Sequence, residues 1–227
     1  LGDRPRLVVP GFGEVFVSTL DGAVAGRLAT QSRANFFVPR RPGPLVSDNE
    51  ADLYFEHPRI DVADVDGDGR GDLVVSNRHE LLVFLGREGG RFAAQPDQRK
   101  PLRRLSETDL VRATGSARVE ARDWSGDGRA DLLVSVTRGG LLHAHTRTTL
   151  HLNRGGTWDV QKADQTFDFD GGWAATSFED MDGDARLEFI EARLSLQTLD
   201  LVGILLTRSI DPVLRIHRPA PAAPFEA

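Results

Sequence analysis

The residues of this chain that are best suited to chemistry form a nine-residue loop, residues 64–72, which carries four carboxylates. Four like charges in one tight loop repel each other unless a cation neutralises them. Ca²⁺ is such a cation, since it accepts about six to eight oxygen ligands at roughly 2.3–2.6 Å. The loop therefore predicts a calcium site. Its expected oxygen donors are the side chains of Asp64, Asp66, Asp68 and Asp72 and the main-chain carbonyl of Arg70.

The same pattern returns twice along the chain. Residues 123–131 repeat it 59 positions later, and residues 180–188 repeat it after another 57. Each copy is followed by a run of hydrophobic residues. Recurrence at a nearly fixed period indicates a repeat architecture rather than three unrelated acidic loops.

Composition narrows the function classes. The formal net charge is −6, which one Ca²⁺ in each of the three loops would cancel. An acidic chain without a basic stripe is not expected to bind nucleic acid. No apolar stretch approaches the roughly 18 residues that a membrane-spanning segment needs. There are no cysteines, so disulfides cannot contribute to stability.

The segments around the acidic loops have the character of β-strands. Short hydrophobic runs lead into and out of residues 64–72 and 123–131, and glycine pairs at 89–90, 139–140 and 155–156 mark turns. Short strands bounded by glycine at regular spacing predict an all-β array.

Several parts of the chain depart from this regularity. Residues 5–58 read as a partial repeat, and residues 39–58, rich in Pro, Asp and Glu, are predicted to be a long exposed connection. Apolar residues at spacings of three and four predict a short inserted helix near residues 195–207. Residues 219–227 read as an extended tail.

These loops and their period resemble the FG-GAP/VCBS repeat family, to which the head of the integrin alpha subunit belongs. The resemblance implies a β-propeller with one four-stranded blade per repeat and Ca²⁺ in the loop between neighbouring strands. Residues 59–117 and 118–173 would be full repeats, and residues 174–218 a degenerate one. The chain would thus hold about three to four blades, a partial ring that a larger propeller or another chain completes.

The resemblance also assigns ligands to the other two loops. In the second loop they would be Asp123, Ser125, Asp127, the Arg129 carbonyl and Asp131. In the third loop they would be Asp180, Asp182, Asp184, the Arg186 carbonyl and Glu188. The second loop has one carboxylate fewer than the first, and the third has Ala185 where the others have glycine. We therefore expect affinity to fall from the first loop to the third.

An EF-hand is the obvious rival for such a loop. It requires a glycine at position 6 and a bidentate glutamate at position 12. Position 12 is Val75 in the first loop and Val134 in the second. The third loop places Glu191 there but lacks the glycine, so an EF-hand is not expected in any of the three.

Other residues suggest less. His143, His145 and His151 fall on one face of a predicted strand, where a transition-metal site or plain polar residues are both open. Asp168 and Asp170 are predicted to form a turn, and Trp124, Trp158 and Trp173 to pack between strands. The chain contains no serine-hydrolase, zinc-protease or phosphate-loop motif.

The sequence therefore predicts a non-catalytic, calcium-stabilised propeller that acts in structure, adhesion or protein interaction. A protein partner is expected, including one that completes the ring. The alternative is a carbohydrate-binding or accessory propeller domain of an extracellular enzyme. An extracellular, cell-surface or periplasmic location is expected because calcium is abundant there. The chain begins at Leu1, so an upstream signal peptide or lipid anchor would not be visible.

Overall fold

The computed structural model describes most of the chain, and every regular element in the described part is a β-strand. This confirms the all-β prediction. The described residues are 5–11, 13–30, 34–37, 52–55, 57–77, 80–102, 115–139, 144–170, 172–184, 187–195 and 213–218. Within them, no helix has the length and apolar character needed to cross a bilayer.

Five antiparallel sheets contain these strands. The first three sheets are β1–β3, the pair β4–β5, and the four-stranded sheet β6–β9; their strands are Arg6–Pro10, Glu14–Thr19, Val24–Ala29, Ala34–Phe37, Asp52–Phe55, Arg59–Ala63, Asp72–Ser76, Glu80–Phe84 and Gln98–Pro101. The other two are the four-stranded sheet β10–β13 and the three-stranded sheet β14–β16; their strands are Ser116–Arg122, Asp131–Arg138, His145–His151, Gln165–Asp170, Gly172–Glu179, Glu188–Ser195 and Val213–His217.

Strands in each sheet follow one another in chain order, so each sheet is a meander of hairpins. In the sheet β10–β13 the register is unbroken, from Ser116 opposite Thr137 to Arg122 opposite Asp131. Sequential antiparallel strands are what the short glycine-bounded runs predict, because hairpins need only a few turn residues.

The chain divides into two compact units, residues 1–61 with 72–102, and residues 62–71 with 103–227. The first unit has a core of aliphatic side chains from β2, β3, β7 and β8, together with Phe84. The second has a core rich in aromatic rings, in which Trp124, Phe167, Phe178 and Phe189 pack with Leu133 and Leu150. Each fully buried apolar side chain of these cores stabilises the fold by roughly 1.5–3 kcal/mol.

Several details of the sequence interpretation need correction or completion. The stretch 39–58, predicted to be a connection throughout, contains β5, whose residues Asp52–Phe55 pair with β4. Four residues are too few for a periodic signal, and the prolines on either side, at 44 and 58, are typical of a loop. The sequence analysis also did not identify β3.

Asp168 and Asp170 do not form a turn: both lie in β13 and pair with residues of β12. The helix predicted near 195–207 falls almost entirely on residues outside the described part of the chain. Its first residue, Ser195, is the last residue of β15.

Candidate metal centres

Each acidic loop lies at the same place in its sheet, between the first and second strands. Residues 64–72 join β6 to β7, residues 123–131 join β10 to β11, and residues 180–188 join β14 to β15. In every case the last acidic residue is the first residue of the second strand. The three loops therefore occupy equivalent positions, as their spacing predicts.

The first carboxylate of each loop folds the chain around itself. Asp64 accepts hydrogen bonds from the main-chain N–H groups of Gly67 at 2.7 Å and Gly69 at 2.7 Å. Asp123 accepts the corresponding bonds from Gly126 at 2.7 Å and Gly128 at 2.9 Å.

The third loop keeps part of this arrangement, since Asp180 accepts from Gly183 at 2.6 Å. Gly69 and Gly128 have φ of 81° and 83°, which glycine adopts without a Cβ clash.

The last carboxylate of each loop is buried. Asp72 and Asp131 are both 0% exposed, and Glu188 is 2% exposed. Asp72 accepts a hydrogen bond from the main-chain N–H of Gly86 at 2.7 Å. Glu188 accepts one from Met181 at 2.7 Å.

Asp131 accepts three main-chain hydrogen bonds. Its Oδ1 accepts from Asn153 at 2.9 Å, and its Oδ2 accepts from Ser125 at 2.8 Å and Trp124 at 3.2 Å. Burial nevertheless raises the pKa of Asp131 above its usual value, because desolvation outweighs these bonds.

The middle carboxylates are exposed or half-buried and bond mainly within their own loops. Asp66 accepts from the N–H of Asp68 at 3.1 Å, and Asp68 accepts from that of Arg70 at 2.9 Å. The guanidinium of Arg70 also pairs with the Asp68 carboxylate. In the second loop Asp127 accepts from Arg129 at 2.9 Å.

Two of the three loops bring carboxylates together in space. In the first, one oxygen each of Asp64, Asp66 and Asp72 lie within 4.8 Å of one another. In the third, the same holds for Asp180, Asp182 and Glu188.

The other predicted ligands are not part of these two groups. The second loop does not form such a group among the described residues, and Ser125 occupies the place of Asp66 there. Asp68 and Asp184 stand outside the two groups, and Arg186 lies outside the described residues.

The donor chemistry of the loops fits a hard divalent cation. The predicted donors in all three loops are oxygen atoms, which is the set that Ca²⁺ prefers. Among the described residues, no cationic side chain forms an ion pair with the buried carboxylates of Asp131 and Glu188. A buried carboxylate is costly unless a positive charge compensates it. A cation in the loop would supply that charge.

Sequence reasoning missed a second repeated element, which closes the turn between the third and fourth strands. The main-chain N–H of Leu85 donates to Asp97 at 2.9 Å, and that of Leu152 donates to Asp164 at 2.7 Å. The signal was present, because both copies read Leu-x-Arg, then Gly-Gly, then Asp-Gln. Both arginines, Arg87 and Arg154, pair with the aspartate of their copy.

The histidines do not share one environment. His145 is half-buried and pairs with Asp168 and Asp170, and Arg147 binds Asp168 from the same strand. His151 is 1% exposed, and its Nδ1 lies 2.9 Å from the carbonyl oxygen of Asp159. His143 lies outside the described residues.

The packing role predicted for Trp124 and Trp158 is confirmed, since both side chains are buried. Trp124 packs against Phe178 with ring centroids 4.7 Å apart. Trp158 donates its indole N–H to the carbonyl oxygen of Ala130 at 2.8 Å. The side chain of Trp173 is outside the described part.

Comparison with known protein families gives one match. Residues 64–134 match the model of the FG-GAP-like repeat, a segment that contains the first two acidic loops and ends inside β11. The resemblance inferred from the sequence is thereby confirmed. No curated protein matches the chain.

Proposed function

We propose, from the premise that residues 64–134 form an FG-GAP-like repeat, that this chain is a calcium-stabilised β-propeller module without catalytic activity. Its role would be structural, in adhesion or in binding a protein partner, outside the cytoplasm. The repeat itself is typical of propeller-type interaction modules. Calcium, the propeller ring and the location are the parts that the proposal adds.

The observation that carries the proposal is the burial of negative charge at the end of each acidic loop. Asp72, Asp131 and Glu188 begin the second strands of their sheets and are removed from water. Main-chain N–H groups stabilise a carboxylate only in part, and the raised pKa of Asp131 reflects the remaining cost. A bound Ca²⁺ would turn that cost into stabilisation, because a ligand that binds only the folded state adds its binding free energy to folding.

The residues that would hold the cation follow from the loops. The first site would use Asp64, Asp66, Asp68 and Asp72 with the Arg70 carbonyl, and the clustering of three of these carboxylates supports it. The second would use Asp123, Ser125, Asp127 and Asp131 with the Arg129 carbonyl. The third would use Asp180, Asp182, Asp184 and Glu188 with the Arg186 carbonyl.

Four-stranded meanders support the propeller part of the proposal. The sheets β6–β9 and β10–β13 have the strand number and the sequential order that a propeller blade has. A module of this kind presents loops and strand edges rather than a reactive pocket. We therefore expect it to act by binding and not by catalysis.

The test is thermal unfolding of the full chain in EGTA and in increasing Ca²⁺, with Mg²⁺ as the control cation. Free Ca²⁺ at 100 times its dissociation constant should stabilise the fold by about 2.7 kcal/mol per site. Mg²⁺ should stabilise much less, because it requires a smaller and stricter octahedral site. Equal melting temperatures in EGTA and millimolar Ca²⁺ would refute calcium stabilisation.

A further inference from the structure

Asn153, two residues after the end of β12, makes contacts that no sequence motif predicts. Its side chain is 6% exposed, and all of its hydrogen-bonding capacity is used. Nδ2 donates to the carbonyl oxygens of Val65 at 2.8 Å and Ala130 at 2.9 Å. Oδ1 accepts from the main-chain N–H groups of Gly156 at 2.9 Å and Thr157 at 3.1 Å.

The bond to Val65 holds the main chain of the first acidic loop. Val65 lies between the predicted ligands Asp64 and Asp66, and its own side chain is fully buried. The carbonyl of Asp64 also accepts a hydrogen bond, from the N–H of Ala130 at 2.6 Å. Because the consecutive carbonyl groups of Asp64 and Val65 are both held by hydrogen bonds, the positions open to the carboxylates of Asp64 and Asp66 are restricted.

The bonds at the other end reach the second acidic loop. Ala130 lies between the predicted ligands Arg129 and Asp131, and it both donates to the first loop and accepts from Asn153. The main-chain N–H of Asn153 donates to Asp131 itself. Asn153 is therefore in direct contact with both loops.

The two loops are also in close contact around these bonds. A Cβ added at Gly67 would lie 2.8 Å from Nε of Arg129, which is too close for two non-bonded atoms. A Cβ at Gly156 would lie 3.5 Å from the Cα of Asp66. The Arg129 side chain of the second loop thus lies against the first loop, and the turn that contains Gly156 lies against Asp66, so a change in one loop should be transmitted to the other.

The first repeat provides a comparison for this residue. At the position equivalent to Asn153, also two residues after the third strand, it has Gly86. The main-chain bond to the last acidic residue is the same, since Gly86 donates to Asp72 as Asn153 donates to Asp131. Only Asn153 adds a side chain that can reach a second loop.

From these contacts we infer that Asn153 is a positioning residue that couples cation binding in the first acidic loop to cation binding in the second. The inference rests on the proposed calcium function. Residues that hold metal ligands in place typically change metal affinity by about 10–100-fold when they are replaced. We expect Asn153 to act at the lower end of that range.

The test uses the full chain and hydrogen exchange of the main-chain amides, read by mass spectrometry across a Ca²⁺ titration. Peptides covering residues 62–74 report the midpoint for the first loop, and peptides covering residues 121–133 report the second. Asn153→Asp keeps the acceptor oxygen but loses both donors. Asn153→Gly introduces the residue that the first repeat uses. Arg154→Ala is the matched control, because it removes an exposed ion pair with Asp164 at the next position.

Both Asn153 variants should raise the first-loop midpoint by about tenfold, whereas Arg154→Ala should change it by less than about twofold. Coupling is read from Asp123→Ala, which disables the second loop. It should raise the first-loop midpoint severalfold in the wild type and clearly less in the Asn153→Gly background, where the main-chain bond from Ala130 to Asp64 still joins the loops. If Asn153 acted in folding alone, Asp123→Ala would raise the first-loop midpoint by the same factor in both backgrounds.

The inference is overturned if folded Asn153 variants bind in the first loop with the wild-type midpoint. It is also overturned if Asp123→Ala leaves that midpoint unchanged in the wild type, a comparison that holds even if the Asn153 variants do not fold. Failure of the proposed function has a different signature, namely that Ca²⁺ alters exchange in no acidic loop of the wild type. In that case EGTA data still decide the positioning role, since amides 64–72 should exchange faster in Asn153→Gly, and equal rates would refute it.

Discussion

The main-chain N–H of Asn153 donates to Oδ1 of Asp131 over 2.9 Å, so the second residue after the third strand of its sheet binds the residue that begins the second strand. Gly86 and Asp72 make the same bond in the preceding four-stranded sheet. At the corresponding sequence position of the last sheet, two residues after β16, stands Pro219, which has no main-chain N–H. The buried carboxylate thus connects the acidic loop to the sheet in the two complete repeats.

This relationship predicts that Asp131 is needed for folding even without metal. In EGTA, Asp131→Ala should lower the free energy of unfolding by about 3 kcal/mol or more, because it leaves buried N–H groups without acceptors. Asp127→Ala is the matched control in the same loop: it removes an exposed carboxylate that accepts from Arg129, and should cost less than about 1 kcal/mol. Urea unfolding of both variants measures the difference. Similar losses in the two variants would contradict the structural role.

The charge at the third position of the loop should set calcium affinity. Ser125→Asp gives the second loop the carboxylate that Asp66 supplies in the first, and should raise calcium affinity by about tenfold while lowering stability in EGTA. Asp66→Ser should do the reverse in the first loop. Ser125→Asn separates charge from size, since it adds an oxygen ligand of similar shape without charge. Calorimetric titration measures the affinities, and an equal gain from Asn and Asp would show that charge is not the cause.

The predicted fall in affinity towards the third loop can be tested at the position where the third loop has Ala185 and the second has Gly128. Gly128 has φ of 83° and nothing within 4 Å of an added Cβ, so Gly128→Ala imposes backbone strain alone. This substitution should lower the free energy of unfolding by about 1–2 kcal/mol. Gly26→Ala is the control, because that glycine has no positive φ and an added Cβ would make only ordinary contact with Val17.

The converse change is Ala185→Gly, which should raise calcium affinity in the third loop. Both changes are read from melting temperatures in EGTA and in Ca²⁺. The ranking also predicts that Asp68→Ala removes more calcium-dependent stability than Asp184→Ala. A third loop that binds as tightly as the first, before and after Ala185→Gly, would contradict the ranking.

Residues 64–72, 123–131 and 180–188 could be located from the sequence because acidic loops of this kind are local. Alternating Asp and Gly specify the turn within a few residues, and the hydrophobic run after it specifies the strand. The strand β5 could not be located in this way, because four residues carry too little periodicity. Pairing with β4, a tertiary contact, is what defines it.

The role of Asn153 was also beyond local reasoning. Its amide binds Val65, which is 88 residues away in sequence, and nothing near either residue indicates the contact. Aligning Leu152-Asn153-Arg154 with Leu85-Gly86-Arg87 would have shown that the two copies differ at this position. The reason for the difference is a tertiary contact, the bond from the Asn153 amide to the first acidic loop, which the sequence does not show.

A buried histidine in the last sheet should make stability depend on pH. His217 is 4% exposed, and its ring packs against Phe167 and Phe189 with centroids 5.0 and 5.3 Å away. Its Nε2 lies 3.8 Å from Oε2 of Glu191, and Arg193 neutralises that carboxylate at 2.7 Å. Burial lowers the pKa of His217, with the positive charges of Arg193 and Arg215 acting in the same direction and Glu191 opposing them.

A histidine whose pKa is lower in the folded than in the unfolded state contributes stability that is present above about pH 6.5 and lost as pH falls towards the folded value. The wild type should therefore lose unfolding free energy between pH 7.5 and 5 through this group. His217→Phe keeps the ring contacts and removes the titration, so its stability should fall less over the same range. Replacement of the exposed His57 by Gln is the control for the loss of an imidazole at a solvent-exposed position. Urea unfolding at several pH values in EGTA measures the slopes, and parallel slopes for the wild type and His217→Phe would rule out His217 as the source.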